Sequence, residues 1–169
     1  MRTPEYKITH WLSHLEVLAH PSASTMTSLG VQVLHTPGHT PDELALYDSV
    51  ARVLFVGDTL YEHAPIEFDI FGNLTDYMHT LEMLRVFVDE ENDGRPVEKR
   101  VTLAAGHATA RGDAARIIGI VQILFRDILA GELEESERWE KRGRKWVKYE
   151  RGTFSVLCPL KLILEARHD

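Results

Sequence analysis

The sequence predicts a mixed α/β (α+β) domain in which helices cover one face of a mixed sheet, and three observations predict it. Short alternating or wholly apolar runs occupy residues 31–35, 43–47 and 52–56, the signature of strands. Two longer segments, 75–91 and 113–130, repeat their apolar residues at helical steps. A strand-like run, 100–105, separates those helices, and further strand-like pieces close the chain. The order is strands, helix, strand, helix, strands.

Taken along the chain, residues 1–28 form a poorly specified segment and 29–169 the domain proper. In the first, Ile8, Trp11, Leu12, Leu15 and Leu18 stand at helical spacing, followed by the breaker-rich Pro21-Ser22-Ala23-Ser24. Between the first two strands lies Thr36-Pro37-Gly38-His39-Thr40-Pro41, where two prolines and a glycine forbid helix. The first predicted helix carries Met78, Leu81, Leu84 and Val88 on one stripe, with Thr75 placed to cap it. Asn92 to Pro96 reads as a turn. The second helix repeats Ala114, Ile117, Ile118, Val121, Leu124, Phe125 and Ile128, and Gly131 suits its C-terminal stop. A strand pair follows at 145–149 and 154–157, turning at Arg151-Gly152, and a last apolar stretch, Leu160 to Leu164, closes the chain.

Composition narrows the function. The chain has 169 residues with 26 acidic and 19 basic side chains, a formal charge of −7, which argues against a whole-surface nucleic-acid binder. Its one cysteine, Cys158, makes no internal disulfide and sits in an apolar run that reads as core. No stretch approaches the roughly 18 apolar residues of a membrane span. Charges and histidines interrupt the N-terminus, which therefore does not read as a secretory signal. A soluble cytoplasmic protein with no membrane or nucleic-acid partner is expected. A basic, aromatic stretch carries Arg138, Lys141, Arg142, Arg144, Lys145, Lys148 and Arg151 around Trp139, Trp146 and Tyr149. An anion platform is one reading of it; a solvated hairpin with its aromatics turned inward is the favoured one.

Nine histidines are many for this length, and position decides which matter. His39, Asp58 and His107 each follow a strand-like run beside a glycine, which places them at a sheet rim where sites are built. Two imidazoles and a carboxylate suit a divalent transition metal. His10 and His14, four apart, could share a helix face, but incidental histidines on a short amphipathic stretch fit them better. The same spacing at His35 and His39 is broken by Pro37-Gly38. His63 lies close enough behind Asp58 to approach the rim, while His20, His79 and His168 have no supporting context. Gly-x-Ser-x-Gly, Gly-x-Gly-x-x-Gly, phosphate-loop and His-Glu-x-x-His motifs are all missing, so metal chemistry is the visible enzymatic route.

The segments Leu34-His-Thr-Pro-Gly-His-Thr-Pro-Asp-Glu-Leu44, Leu54-Phe-Val-Gly-Asp-Thr-Leu-Tyr61 and Ala105-Gly-His107 resemble, in order and spacing, the second half of a metallo-β-lactamase-fold hydrolase. The resemblance covers residues 29–131 and implies part of an αβ/βα sandwich. It implies that His39 binds a first metal, Asp58 bridges two metals and His107 completes the second, with zinc, iron or manganese as the ion. It further implies a metal-held hydroxide that attacks an ester, thioester or lactone carbonyl, with Asp58 in the catalytic set and Tyr61 as a candidate to contact substrate. The family's His-x-His-x-Asp-His motif is absent upstream of His39, since the first aspartate is Asp42. That absence supports a second expectation: a non-catalytic, truncated remnant acting through self-association or a partner. Loss of the companion half would expose an apolar sheet face and favour a homodimer.

Overall fold

The structure, a computed structural model, describes residues 7–22 and 25–168. In chain order its elements are β1 (Val17–Ser22), β2 (Thr25–His35), β3 (Leu44–Asp48), β4 (Val53–Phe55), β5 (Pro65–Glu67) and α1 (Leu74–Asn92). After a single 3-10 turn come β6 (Thr102–Ala104), β7 (Gly112–Asp113), α2 (Ala114–Ala130), β8 (Glu137–Lys141), β9 (Arg144–Arg151), β10 (Phe154–Pro159) and α3 (Leu160–Ala166). The mixed α/β architecture matches the expectation, but the strands divide between two sheets rather than forming one. The larger runs β1-β2-β3-β4-β6-β7 and the smaller β5-β10-β9-β8. Each is mixed: β4 pairs with β6, and β10 with β5, in parallel, and the other pairs are antiparallel.

Strand direction builds the rim. β3 is antiparallel to both β2 and β4, so β2 and β4 run the same way, and β6 runs parallel to β4. The C-terminal ends of β2, β4 and β6 therefore open on one edge of the sheet. Register separates the two faces. Leu34 pairs with Ala45, Tyr47 with Leu54 and Leu54 with Leu103, and all five are buried in the apolar core shared with the helices and the smaller sheet. Val33, Leu46 and Phe55 share the opposite face with Leu44; Val33 is buried, but Phe55 and Leu44 are exposed.

The helices follow their stripes. α2 buries every residue of its predicted apolar repeat, is capped by Asp113 accepting from the Arg116 amide at 2.9 Å, and ends at Gly131, whose φ of 74° only glycine adopts freely. α1 buries Leu81, Leu84 and Val88 as expected, and Tyr77 as well. Its cap is Asn73 rather than Thr75, because the Asn73 Oδ1 accepts from the Asp76 amide at 3.1 Å and starts the helix earlier.

Two expectations are corrected. Residues 7–13 form no helix despite their spacing; Ile8, Trp11 and Leu12 are exposed, and Leu18 lies in β1. A short amphipathic stretch does not repay helix nucleation without a partner, whereas the chain beyond it finds one in β2. Of the breaker-rich stretch, Pro21 and Ser22 end β1, and residues 23–24 lie outside the described residues. The apolar run that closes the chain lies in a helix, Leu160–Ala166: Pro159 cannot continue a ladder past itself, and Leu162 and Ile163 face the core. The expected strand pair is a three-strand meander, because the highly charged β8 forms an edge with no apolar alternation. In that meander only Tyr149 turns into the core; Trp146 lies on the opposite face of β9, covered by Trp139, which stacks on it at 6.2 Å, and by Lys141, so the inward-facing hairpin expected from the composition holds in part. Cys158 is core, its thiol pushed up to about 12 by burial. No described helix is long and apolar enough to cross a membrane.

Candidate metal centre

All three rim residues lie on loops that leave the same sheet edge: His39 after β2, Asp58 after β4, His107 after β6. Two backbone bonds lock the last two loops together, from the Val56 amide to Ala104 O at 2.9 Å and from the Gly106 amide to Gly57 O at 2.7 Å. A Cβ at Gly106 would lie 2.4 Å from Asp58 Oδ1, so glycine leaves that carboxylate its present position. His107 Nε2 approaches Asp58 Oδ1 at 3.8 Å, with both side chains largely open to solvent. That separation leaves room for a shared cation.

His39 is held differently. Its Nδ1 meets the Glu43 carboxylate at 2.8 Å and its Nε2 meets Glu67 O at 3.1 Å. With an acceptor at each nitrogen the ring is favoured as imidazolium. The Glu43 hydrogen bond raises the His39 pKa most, burial opposes it, and the Glu43 charge, the Glu67 carbonyl and Asp58 add to the rise. Glu43, absent from the candidates read from the sequence, is the residue that holds His39. Its other oxygen accepts from the Asp58 amide at 2.9 Å, so one buried carboxylate orients two candidate ligands. A carboxylate four residues after His39, in a loop that cannot be helical, was the available signal.

Tyr61 is buried with its ring 5.3 Å from that of His107. Burial first, and then the hydrogen bond to Asp58, push its pKa well up, so the phenol keeps its proton beside that carboxylate. The hydroxyls of Thr36 and Thr59, flanking the His39 and Asp58 loops, are buried without a hydrogen-bond partner.

The other histidines do not converge here. His10 Nε2 pairs with Glu16 at 2.7 Å, and His14 Nδ1 accepts from the His35 amide at 3.1 Å; no helix joins them. His35 meets Pro41 O, and His63 is turned outward, near Glu62.

The donor set fits a metal in part. Asp58 and His107 are placed as two ligands of one ion, and His39 carries the carboxylate partner typical of a metal-bound imidazole. Its Nε2, however, is committed to Glu67 O. Among the described residues no three His, Cys, Asp or Glu side chains close into a metal-holding group.

Comparison with known proteins bears on this rim. The family model of the Metallo-beta-lactamase superfamily matches residues 6–124. The putative transcription factor avaE of Aspergillus versicolor is 28% identical over 145 residues, covering 82% of this chain and 42% of that protein. Acyl-coenzyme A thioesterase MBLAC2 of Gallus gallus is 27% identical over 112 residues, covering 53% of this chain and 40% of that one. This chain thus spans about two-fifths of the curated relatives' length. Among solved structures, a metallo-beta-lactamase family protein of Thermus thermophilus superimposes with a TM-score of 0.50 at 21% identity, over 75% of this chain and 38% of that one. At that identity the likeness speaks for the fold.

Proposed function

Because this chain belongs to the metallo-beta-lactamase superfamily, we propose that it supplies one side of a metal-dependent hydrolase centre acting on an ester-type bond. The observation that carries the reading is the rim itself, where Glu43 holds His39 and the Asp58 amide while Asp58 and His107 stand 3.8 Å apart. Asp58 and His107 would hold the ion, with His39 joining once its Nε2 is released from Glu67 O. A divalent ion there would polarise a carbonyl and lower the pKa of a water. The chain's own residues orient: Glu43 fixes the His39 ring, and Tyr61 keeps a proton beside Asp58. The likeness to an acyl-coenzyme A thioesterase supports a thioester as the substrate class, and an ester or lactone shares the same chemistry. Elemental mass spectrometry on protein purified without chelator tests the reading. Near-stoichiometric zinc, iron or manganese, lost in Asp58→Ala and His107→Ala, supports it. Metal content unchanged in both variants overturns the assignment.

A second reading, self-association of this chain, is favoured by the outer face of the larger sheet, where Leu44 and Phe55 stand exposed beside Leu46. Light scattering decides it: a dimer supports the reading and a strict monomer at tens of micromolar overturns it.

A further inference from the structure

Away from the rim, the β8–β9 hairpin, the loop after β5 and the start of α3 enclose a cleft of two chambers. The first, about 510 Å³, is lined by Ile70, Pro159, Leu160, Leu162 and Leu164, with Arg144, Lys145 and Lys161 also at its wall. The second, about 320 Å³, adjoins it through Ile70 and Arg144 and is lined by Lys141, Arg142 and Trp146 together with Glu67, Asp69 and Phe71. Together they have the size of small-molecule sites.

Three features give the cleft its chemistry. Cations elsewhere on the smaller sheet are paired, as Lys148 is with Glu137 and Glu150, and Arg151 with Asp127. Arg142, Arg144 and Lys145, by contrast, have no ion-pair partner among the described residues. Of the acidic groups that line the second chamber, Glu67 is engaged with Lys141 at 3.7 Å and Asp69 with the Phe71 amide at 2.6 Å; Glu140 stands opposite Lys145 across the ladder, outside the lining. Trp146 forms part of the wall beneath Lys141, and its indole N–H is buried without an acceptor. The last feature is apolar exposure: Ile70, Phe71 and Leu164 stand exposed at the cleft. Unpaired cations and an unanswered donor call for an anion, and the adjoining aliphatic chamber calls for a chain.

We infer that this cleft binds an anionic amphiphile, its alkyl chain among Ile70, Leu160 and Leu164 and its phosphate or carboxylate head on Arg142, Arg144 and Lys145. The inference is independent of hydrolysis and of metal. It is tested by titrating the full chain, in chelator, with dodecyl phosphate, dodecanoate and dodecanol below their micelle concentrations, using calorimetry and tryptophan emission. Both anions should bind saturably and dodecanol about tenfold more weakly or worse. Arg144→Gln should weaken the anions about tenfold and leave dodecanol unchanged; Leu164→Glu, at an exposed position that the fold tolerates, should weaken all three. A preference for the phosphate would point to a phosphorylated ligand, and a preference for the carboxylate to a fatty acid, either one within the inference. Dodecanol binding as tightly as the anions, no saturable binding at all, or an unaltered Arg144→Gln variant would overturn it.

Discussion

His39 and His107 stand on the same rim and are held to different standards. The His39 side chain is 14% exposed with both ring nitrogens engaged, whereas that of His107 is 69% exposed and meets only Asp58, at 3.8 Å. The cause lies behind each loop. Helix α1 backs the His39 loop: the Asn73 amide donates to Gly38 O and Thr80 Oγ1 donates to Pro37 O at 2.7 Å, while Tyr77 OH donates to Thr59 O at 2.6 Å on the neighbouring Asp58 loop. The His107 loop is held from its ends, by the Gly106 amide to Gly57 O at 2.7 Å and by Thr109, whose Oγ1 accepts from the Glu62 amide and donates to Glu62 O, with the imidazole itself left largely open. One rim can thus hold a rigid side and an adaptable side, and rigidity comes from what packs behind a loop rather than from the ligand type.

The largest expected effect strikes the rigid side. Gly38 has φ +130°, and a Cβ there would lie 2.4 Å from the Tyr77 backbone nitrogen and Cα. Neither atom moves without moving α1, so Gly38→Ala should cost about 4 kcal/mol or prevent folding. A loss below about 1 kcal/mol in urea denaturation would mean that the helix does not clamp the loop.

Next comes Glu43→Ala, expected to cost about 2–3 kcal/mol because it strands the Asp58 amide and the His39 Nδ1 at once. Glu43→Gln should recover part of that loss, since an amide oxygen still accepts from one of the two. Equal stability for Glu43→Ala and the parent chain would remove Glu43 from the centre of the comparison.

How much of this was legible beforehand follows the same division. The α2 stripe from Ala114 to Ile128 and the strand-end positions of His39, Asp58 and His107 are local patterns, and each was readable from spacing. Glu43 was not, because its role exists only once β3 and β4 bring the Asp58 amide back to it, fifteen residues later. The stretch from Ile8 to Leu18 misled for a related reason: its helical spacing was real, but β1 found a ladder partner in β2 that no local period announces. The run from Leu160 to Leu164 was too short for period alone to tell strand from helix, and Pro159 decided it.

On the adaptable side the expected effects are smaller and of another kind. A Cβ at Gly106 would meet Asp58 Oδ1, the end of a side chain that can swing away. Gly106→Ala should therefore change stability by less than about 1 kcal/mol while weakening zinc binding about tenfold, as misplaced ligands do. A variant that loses stability as heavily as Gly38→Ala would erase the distinction between the two sides.

The smallest effect tests the tether of the adaptable side by pH. Glu62 Oε2 meets Arg116 at 2.5 Å, and that hydrogen bond is the main reason its carboxyl lies below the ordinary value of 4.5. A depressed carboxylate contributes stability above its unfolded pKa and loses that contribution as pH falls through the folded one. Arg116 is 47% exposed, so solvent screening keeps the contribution under about 1 kcal/mol. Glu62→Gln should be slightly less stable than the parent chain at pH 7, and the gap should close as pH drops below the carboxylate range. A gap that persists at pH 3, where the carboxylate is protonated, would show that the charge of Glu62 and its ion pair to Arg116 are not what the substitution removes.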